Sequence, residues 1–286
     1  MILDATARRK AAWEKLAGRQ DRRSGAARLG ALVSEMGGRL RISHRFALVA
    51  LAVFCAGCMV APVLGQAAND DDDDKTPLVV VGDFNRDGIA DIAEIAAAED
   101  GHPGPRMLTV RLGRGDGTYR QVESTALTGN DPRTIVVGDF NGDGIPDVIV
   151  GDEDGTLTEL LGDGKGKLVV AGVVGRVSSV VSIAAGDFNH DGTLDLAVSD
   201  PLANTVTILL GSGNGAFRAA WTFHLPMQGK VYHLATADFN GDRVPDLAVT
   251  NDDEGSFEVM LGNGNGTFTY APELSHVLDP NEHCTT

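Results

Sequence analysis

Three nine-residue stretches carry acidic and amide side chains at the same offsets: Asp83–Asp91 (DFNRDGIAD), Asp139–Asp147 (DFNGDGIPD) and Asp187–Asp195 (DFNHDGTLD). A fourth, Asp238–Asp246 (DFNGDRVPD), has Arg243 where the others have a turn glycine. The oxygen-bearing residues are Asp83, Asn85, Asp87 and Asp91, then Asp139, Asn141, Asp143 and Asp147, then Asp187, Asn189, Asp191 and Asp195, then Asp238, Asn240, Asp242 and Asp246. The seventh position (Ile89, Ile145, Thr193 or Val244) would add its backbone carbonyl. Hard oxygens at alternate positions of a tightly turned backbone are what a calcium ion takes as ligands, six to eight of them. Each stretch is therefore a candidate calcium site. The fourth is expected to bind most weakly, because Arg243 sets a positive charge beside it. The same residues without metal would make an ordinary Asx/Gly turn; four in-phase copies that keep the ninth aspartate favour the ion.

The elements that must hold these loops are strands. An EF-hand loop would carry Glu at its twelfth position and continue into a helix. Here that position holds Glu94, Val150, Val198 and Val249, and the loops run on into DIAEI, DVIVG, DLAVS and DLAVT. A strand also precedes each loop (VVVGD, IVVGD, SIAAGD, LATAD). A second motif recurs in phase: MLTVRLGRGDGTY, TLTELLGDGKGKL, TVTILLGSGNGAF and SFEVMLGNGNGTF, each an alternating strand, a Gly-rich turn and the start of another strand. The first aspartates of successive loops are 56, 48 and 51 residues apart. Four strands in about 50 residues is the length of one β-propeller blade.

The paired motifs resemble FG-GAP/VCBS repeats, the blades of integrin-α-type propellers and of many bacterial secreted and surface proteins, over about Leu78 to Phe268. The resemblance implies an all-β propeller of four-stranded blades, calcium held by the residues named above near one rim, and extracellular interaction. Family propellers commonly have seven blades and four are visible here, so a small or incomplete propeller is expected, with open edges that invite self-association. The expected blades lie near 77–128, 129–178, 179–229 and 230–275, with a tail at 276–286. The in-phase Phe84, Phe140, Phe188 and Phe239 read as core residues.

Ahead of the repeats the sequence changes character. Residues 46–65 (FALVALAVFCAGCMVAPVLG) are apolar and small, follow Arg39, Arg41 and Arg45, and end near a small-x-small site at Gly65–Ala67. This reads as a secretory signal over 36–67, with a membrane anchor or a lipid on Cys58 as alternatives. Residues 1–35 form a basic extension, either the product of an upstream start choice or a true cytoplasmic segment. Residues 68–76 contain NDDDDDK, an acidic linker. The expected location is secreted or at the cell surface, with the membrane reached only through an uncleaved signal or a lipid anchor.

The first 67 residues hold 11 Lys+Arg and 4 Asp+Glu; the rest hold 13 and 36, a balance of −23. So acidic a domain excludes nucleic acid as partner, since that affinity rests on Lys and Arg. The repulsion among its carboxylates predicts that calcium stabilises the fold. Only Cys284 lies beyond the signal, so no disulfide framework is expected. Arg114–Asp116 spells RGD and Asn265–Thr267 a glycosylation sequon, but both fall on the repeating blade turn. His102, His190, His224, His233, His276 and His283 share no spacing with a nucleophile, and no HExxH occurs, so an enzyme is not expected. The expected function is an exported calcium-binding interaction or adhesion module whose partner is an extracellular protein or polysaccharide. A lectin-like propeller, or an accessory domain of a secreted enzyme, is the alternative.

Overall fold

The computed structural model describes residues 77–96, 106–129, 131–224, 233–251, 256–272, 274 and 276–277. The extension, the signal segment, the whole acidic linker and most of the tail lie outside these. Every regular element among the described residues is a β-strand, and none of these residues forms a helix long and apolar enough to cross a membrane.

The strands fall into antiparallel sheets in sequence order. The first is β1 (Leu78–Gly82), β2 (Asp91–Ile95), β3 (Met107–Gly113) and β4 (Tyr119–Ala126). The second is β5 (Pro132–Gly138), β6 (Asp147–Asp152), β7 (Thr156–Gly162) and β8 (Leu168–Arg176). The third is β9 (Ser182–Gly186), β10 (Asp195–Asp200), β11 (Thr205–Gly211) and β12 (Phe217–Phe223). The fourth is β13 (Leu234–Ala237), β14 (Asp246–Asn251), β15 (Ser256–Gly262) and β16 (Phe268–Tyr270). A short β17 (His276–Val277) also pairs with β15, at Ser256 and Phe257. It takes up the outer edge that the continuous β4, β8 and β12 cover elsewhere. Pro272, which has no N–H to give a ladder, lies in the gap between the two pieces. The fourth sheet thus reaches two residues past the boundary expected at 275.

Neighbouring sheets pack through their first strands, β1 on β5, β5 on β9 and β9 on β13. Among the described residues no comparable packing joins β13 to β1, so the four propeller-like blades form an open array. Three apolar clusters fill the three interfaces. Val80, Leu108 and Leu112 meet Val148, Val150 and Leu160 between the first and second blades. Ile149 and Leu157 meet Ile183, Leu196 and Val198 between the second and third. Val206 and Ile208 meet Leu247, Val249 and Met260 between the third and fourth. Successive strand residues point to opposite faces, so a blade with two neighbours buries both sets. That is why β6 and β10 are buried along their whole length while β1 and β2 alternate buried and half-buried.

The uncovered face of the first blade differs chemically from the matching faces further on. Glu94 stands where the later blades have Val150, Val198 and Val249, and Arg111 where they have Leu160, Leu209 and Met260. The two form an ion pair. Charge on the outer face is what the terminal unit of a repeat array needs to stay soluble.

Three of the four motif phenylalanines are core residues as expected: Phe84, Phe140 and Phe188 are 1, 2 and 1% exposed. Phe239 is 38% exposed, against expectation. The reason is directional. Each motif Phe packs toward the following blade, and no fifth blade follows the fourth among the described residues.

Candidate metal centres

The DFN loops join the first and second strands of each blade, and the Gly-rich turns join the third and fourth. Antiparallel pairing puts both at one rim, and hydrogen bonds lock them together. The ninth aspartate is the clasp: Asp91, Asp147, Asp195 and Asp246 are wholly buried. One oxygen of each accepts the N–H of its motif Phe, at 2.9, 3.1, 2.9 and 2.8 Å. The other accepts the N–H of the glycine ending the third strand, Gly113, Gly162, Gly211 or Gly262, at 2.8 to 2.9 Å. A Cβ on those glycines would lie 2.1 to 2.4 Å from a loop carbonyl (Ala90, Pro146, Leu194 or Pro245), so only glycine fits. Burial raises the four carboxyls above their ordinary range, to about 6 for Asp147 and Asp195, against the opposing pull of the two backbone N–H groups.

The first, third and fifth residues lie on an exposed turn. Both oxygens of Asp83 accept backbone N–H groups, from Asp87 (3.0 Å) and Gly88 (2.9 Å). Asp139, Asp187 and Asp238 repeat this with their own fifth and sixth residues. The asparagine carbonyl of Asn85, Asn141, Asn189 and Asn240 accepts the fifth residue's N–H, and its amide donates to that residue's carboxylate. Asp87, Asp143, Asp191 and Asp242 accept the N–H of the seventh residue, Ile89, Ile145, Thr193 and Val244. The Asx turn of the metal-free reading is thus fully formed.

The turn needs left-handed backbone at its fourth and sixth residues. Arg86, His190 and Arg243 adopt it at φ of 61, 59 and 74°, beside Gly88, Gly142, Gly144, Gly192 and Gly241 at 77 to 86°. A non-glycine residue pays for that conformation, so the loop imposes its shape on whatever residue stands there.

The donor set can be tested against calcium on its chemistry. Every side-chain donor is a hard oxygen, and a carboxylate oxygen that accepts one N–H keeps a further lone pair. Asp83, Asn85, Asp87, the carbonyl of Ile89 and Asp91, with their equivalents, would therefore hold the ion. Among the described residues no three His, Cys, Asp or Glu side chains stand gathered tightly enough to form a metal cluster. The amide oxygen, the backbone carbonyl and water would have to complete each shell.

Two features escaped the sequence reading. The Gly-rich turns of the second, third and fourth blades dock on the DFN loop of the blade before: Gly166, Gly215 and Gly266 donate to the carbonyls of Phe84, Phe140 and Phe188, at 3.0, 3.1 and 2.9 Å. Beside these bonds Phe217 meets Phe140 edge-on and Phe268 meets Phe188, at centroid distances of 5.9 and 5.4 Å. The second feature is Glu159, 4% exposed, with Oε1 lacking a partner. Burial, then the charge of Asp147, pushes it up to about 7. The in-phase residues are Val110, Ile208 and Val259, and that misfit was the available signal. The RGD and sequon residues sit on the blade turns, where Asp116 and Asn265 accept the N–H and hydroxyl of Thr118 and Thr267.

An all-β array of four-stranded blades, each joined by one conserved-geometry loop and one glycine turn, defines a propeller-like repeat protein. The FG-GAP-like repeat matches residues 83–150, 139–198 and 196–249, and the FG-GAP repeat matches 231–270. The chain belongs to the FG-GAP-like repeat family. Such repeats suggest an integrin-like propeller module for protein interaction. No curated protein matches the chain. Among solved structures it is similar to a crystal structure of a protein from Lactobacillus plantarum, at 14% identity and TM-score 0.51, covering 68% of this chain and 54% of that one. It also matches a crystal structure of BBS1N in complex with ARL6DN, soaked with mercury, at 15% identity and TM-score 0.44, covering 68% and 53%. The chain spans about half the length of these proteins.

Proposed function

We propose that this protein is an exported interaction module whose blades are braced by calcium in the four DFN loops, and that its partner is an extracellular protein or polysaccharide. One observation carries the reading: four exposed turns on one rim present the same oxygen set on the same left-handed backbone, even where arginine or histidine must adopt it. The acidic balance of −23 after residue 67 adds a physical need, since divalent cations relieve the repulsion. The expected affinity lies at roughly 0.1 to 1 mM, the range of extracellular calcium modules.

The test is a thermal melt of the full chain in EDTA and with calcium titrated from micromolar to millimolar. The melting temperature should rise saturably with calcium and lose part of that rise in each of Asp83→Ala, Asp139→Ala and Asp187→Ala. Each alanine also removes a turn cap worth about 1 kcal/mol by analogy with helix caps. The cap loss appears in EDTA, whereas the metal loss appears only as a smaller calcium increment. A melt indifferent to calcium overturns the reading.

A further inference from the structure

At the rim opposite the DFN loops lies a cavity of about 520 Å³, walled by Asp131, Asp152, Glu153, Asp154, Ser178 and Leu202 among others. It sits where the β6–β7 and β10–β11 hairpins meet the connections leading into β5 and β9. Arg133 holds two of the four carboxylates, Asp131 at 3.3 Å and Glu153 at 2.7 Å. Asp154 caps the N–H of Thr156 at 3.0 Å.

Asp152 is different. It is 3% exposed, and its Oδ1 has no hydrogen-bond partner. The residue at the same place in the next blade, Asp200, is 2% exposed and accepts N–H groups on both oxygens, from Ser178 at 2.7 Å and Ala203 at 2.9 Å. One position thus yields a fully satisfied carboxylate in the third blade and a half-satisfied one in the second. A buried acceptor left without a donor carries its full desolvation penalty, and a larger one when charged. Burial, then the charge of Asp154, pushes Asp152 up to about 6 against the pull of the Asp131 backbone N–H that its carboxylate accepts; Asp131 adds its charge, and no basic group acts on it. Arg106 and Arg176 act at longer range on Asp131 and Asp154. Gly129 faces the same carboxylate: a Cβ there would come within 2.1 Å of both Asp152 oxygens. The backbone of Gly129 thus stands against the acid, where no larger residue would fit.

We propose that this cavity binds an alkylammonium group with Asp152 as its anchor. An ammonium is satisfied by three acceptors, which Asp152 and the hydroxyls of Ser178 and Ser179 on the wall supply in kind. A divalent metal needs a denser shell of oxygens, whereas two of the four carboxylates here are already held by Arg133. Leu202, also on the wall and 73% exposed, offers an apolar surface for the methylene chain behind the charge. The group's source is a free polyamine or a lysine side chain of a partner. The site does not depend on calcium in the DFN loops at the other rim, so the two readings stand or fall separately.

The test is calorimetric titration of the full chain, in calcium and in EDTA, with spermidine and with Nα-acetyl-lysine amide. Saturable binding of at least one is expected, weakened tenfold or more by Asp152→Asn and unchanged by Asp163→Asn at the other rim. Binding of both probes points to a partner lysine, and binding of spermidine alone to a free polyamine. The Asp152→Asn protein should melt no lower than the parent, because the change removes a buried charge that no basic group balances and keeps an acceptor for the Asp131 N–H. No binding, binding insensitive to Asp152→Asn, or a clear drop in its melting temperature overturns the proposal.

Discussion

Phe140 and Phe239 stand at the same place in the same motif, yet one is 2% exposed and the other 38%. Gly142 and Gly241 repeat the contrast. Both are left-handed, at φ of 78 and 84°. A Cβ on Gly142 would come within 2.9 Å of the carbonyl of Gly213 in the next blade, while one on Gly241 would meet nothing within 4 Å. The second and fourth blades thus share a loop conformation and differ in everything a following blade supplies. Loop shape is local, set by Asx turns and the buried ninth aspartate. Packing energy is not local, because it accrues at the interface between repeats.

The sharpest way to break this comparison is to truncate the two phenylalanines. Phe140→Ala should cost about 3–5 kcal/mol, the usual loss for a fully buried aromatic, read as a shift in denaturant midpoint. Phe239→Ala should cost under about 1 kcal/mol. Equal losses would mean that Phe239 is covered in solution and that the fourth blade is not an end.

Glu159 sharpens the picture at the second interface. Its folded pKa of about 7 lies above its ordinary value of 4.5. Between those values the folded protein holds more protons than the unfolded one, so stability rises as pH falls from 8 toward 5. Two to three pKa units correspond to roughly 3 kcal/mol as an upper order of magnitude. Glu159→Val, the residue of the in-phase Val110 and Val259, should stabilise the protein by about 1–3 kcal/mol at pH 8 and flatten this part of the pH profile. Melts across pH 5 to 8, in EDTA to keep calcium out of the balance, would check it. A parent profile that rises with pH there would contradict the buried acid.

Smaller effects separate local from interface cost. Gly142→Ala and Gly241→Ala both force alanine into left-handed backbone, at about 1 kcal/mol each. Gly142→Ala must also displace the Gly213 carbonyl, so its midpoint should fall further by about 1 kcal/mol or more. Arg243→Gly relieves the same strain in reverse and should stabilise by about 0.5–1 kcal/mol. By removing the charge beside Asp238 and Asp242 it should also increase the calcium-dependent rise in melting temperature. Unchanged calcium dependence would show that the fourth loop does not take the ion.

Much of this architecture was legible in the chain because the repeats report on one another. The strand before DFN, the strand after it and the LG turn recur in four copies, so a single reading placed sixteen strands. The oxygen-bearing positions were equally plain, since Asx chemistry acts over two to five residues. The clasp was half legible. The ninth aspartate stood out, but its bond to Gly113, Gly162, Gly211 or Gly262 spans 15 to 22 residues, and the glycines read only as turn formers. The pairing of Gly166, Gly215 and Gly266 with the preceding Phe carbonyl was not legible, because it joins backbone groups of different blades.

Local periodicity and loop chemistry, then, belong to the sequence: the all-β class, the four units and the candidate oxygens. Which phenylalanine is covered, which buried aspartate is left with a free oxygen and whether the blades meet end to end were decided only by tertiary structure. The physical reason is the range of the forces. Turn geometry and strand alternation are fixed by neighbours in the chain. Burial, desolvation and hydrogen-bond satisfaction depend on what another blade brings to the same place, and identical motifs cannot say whether that blade is there.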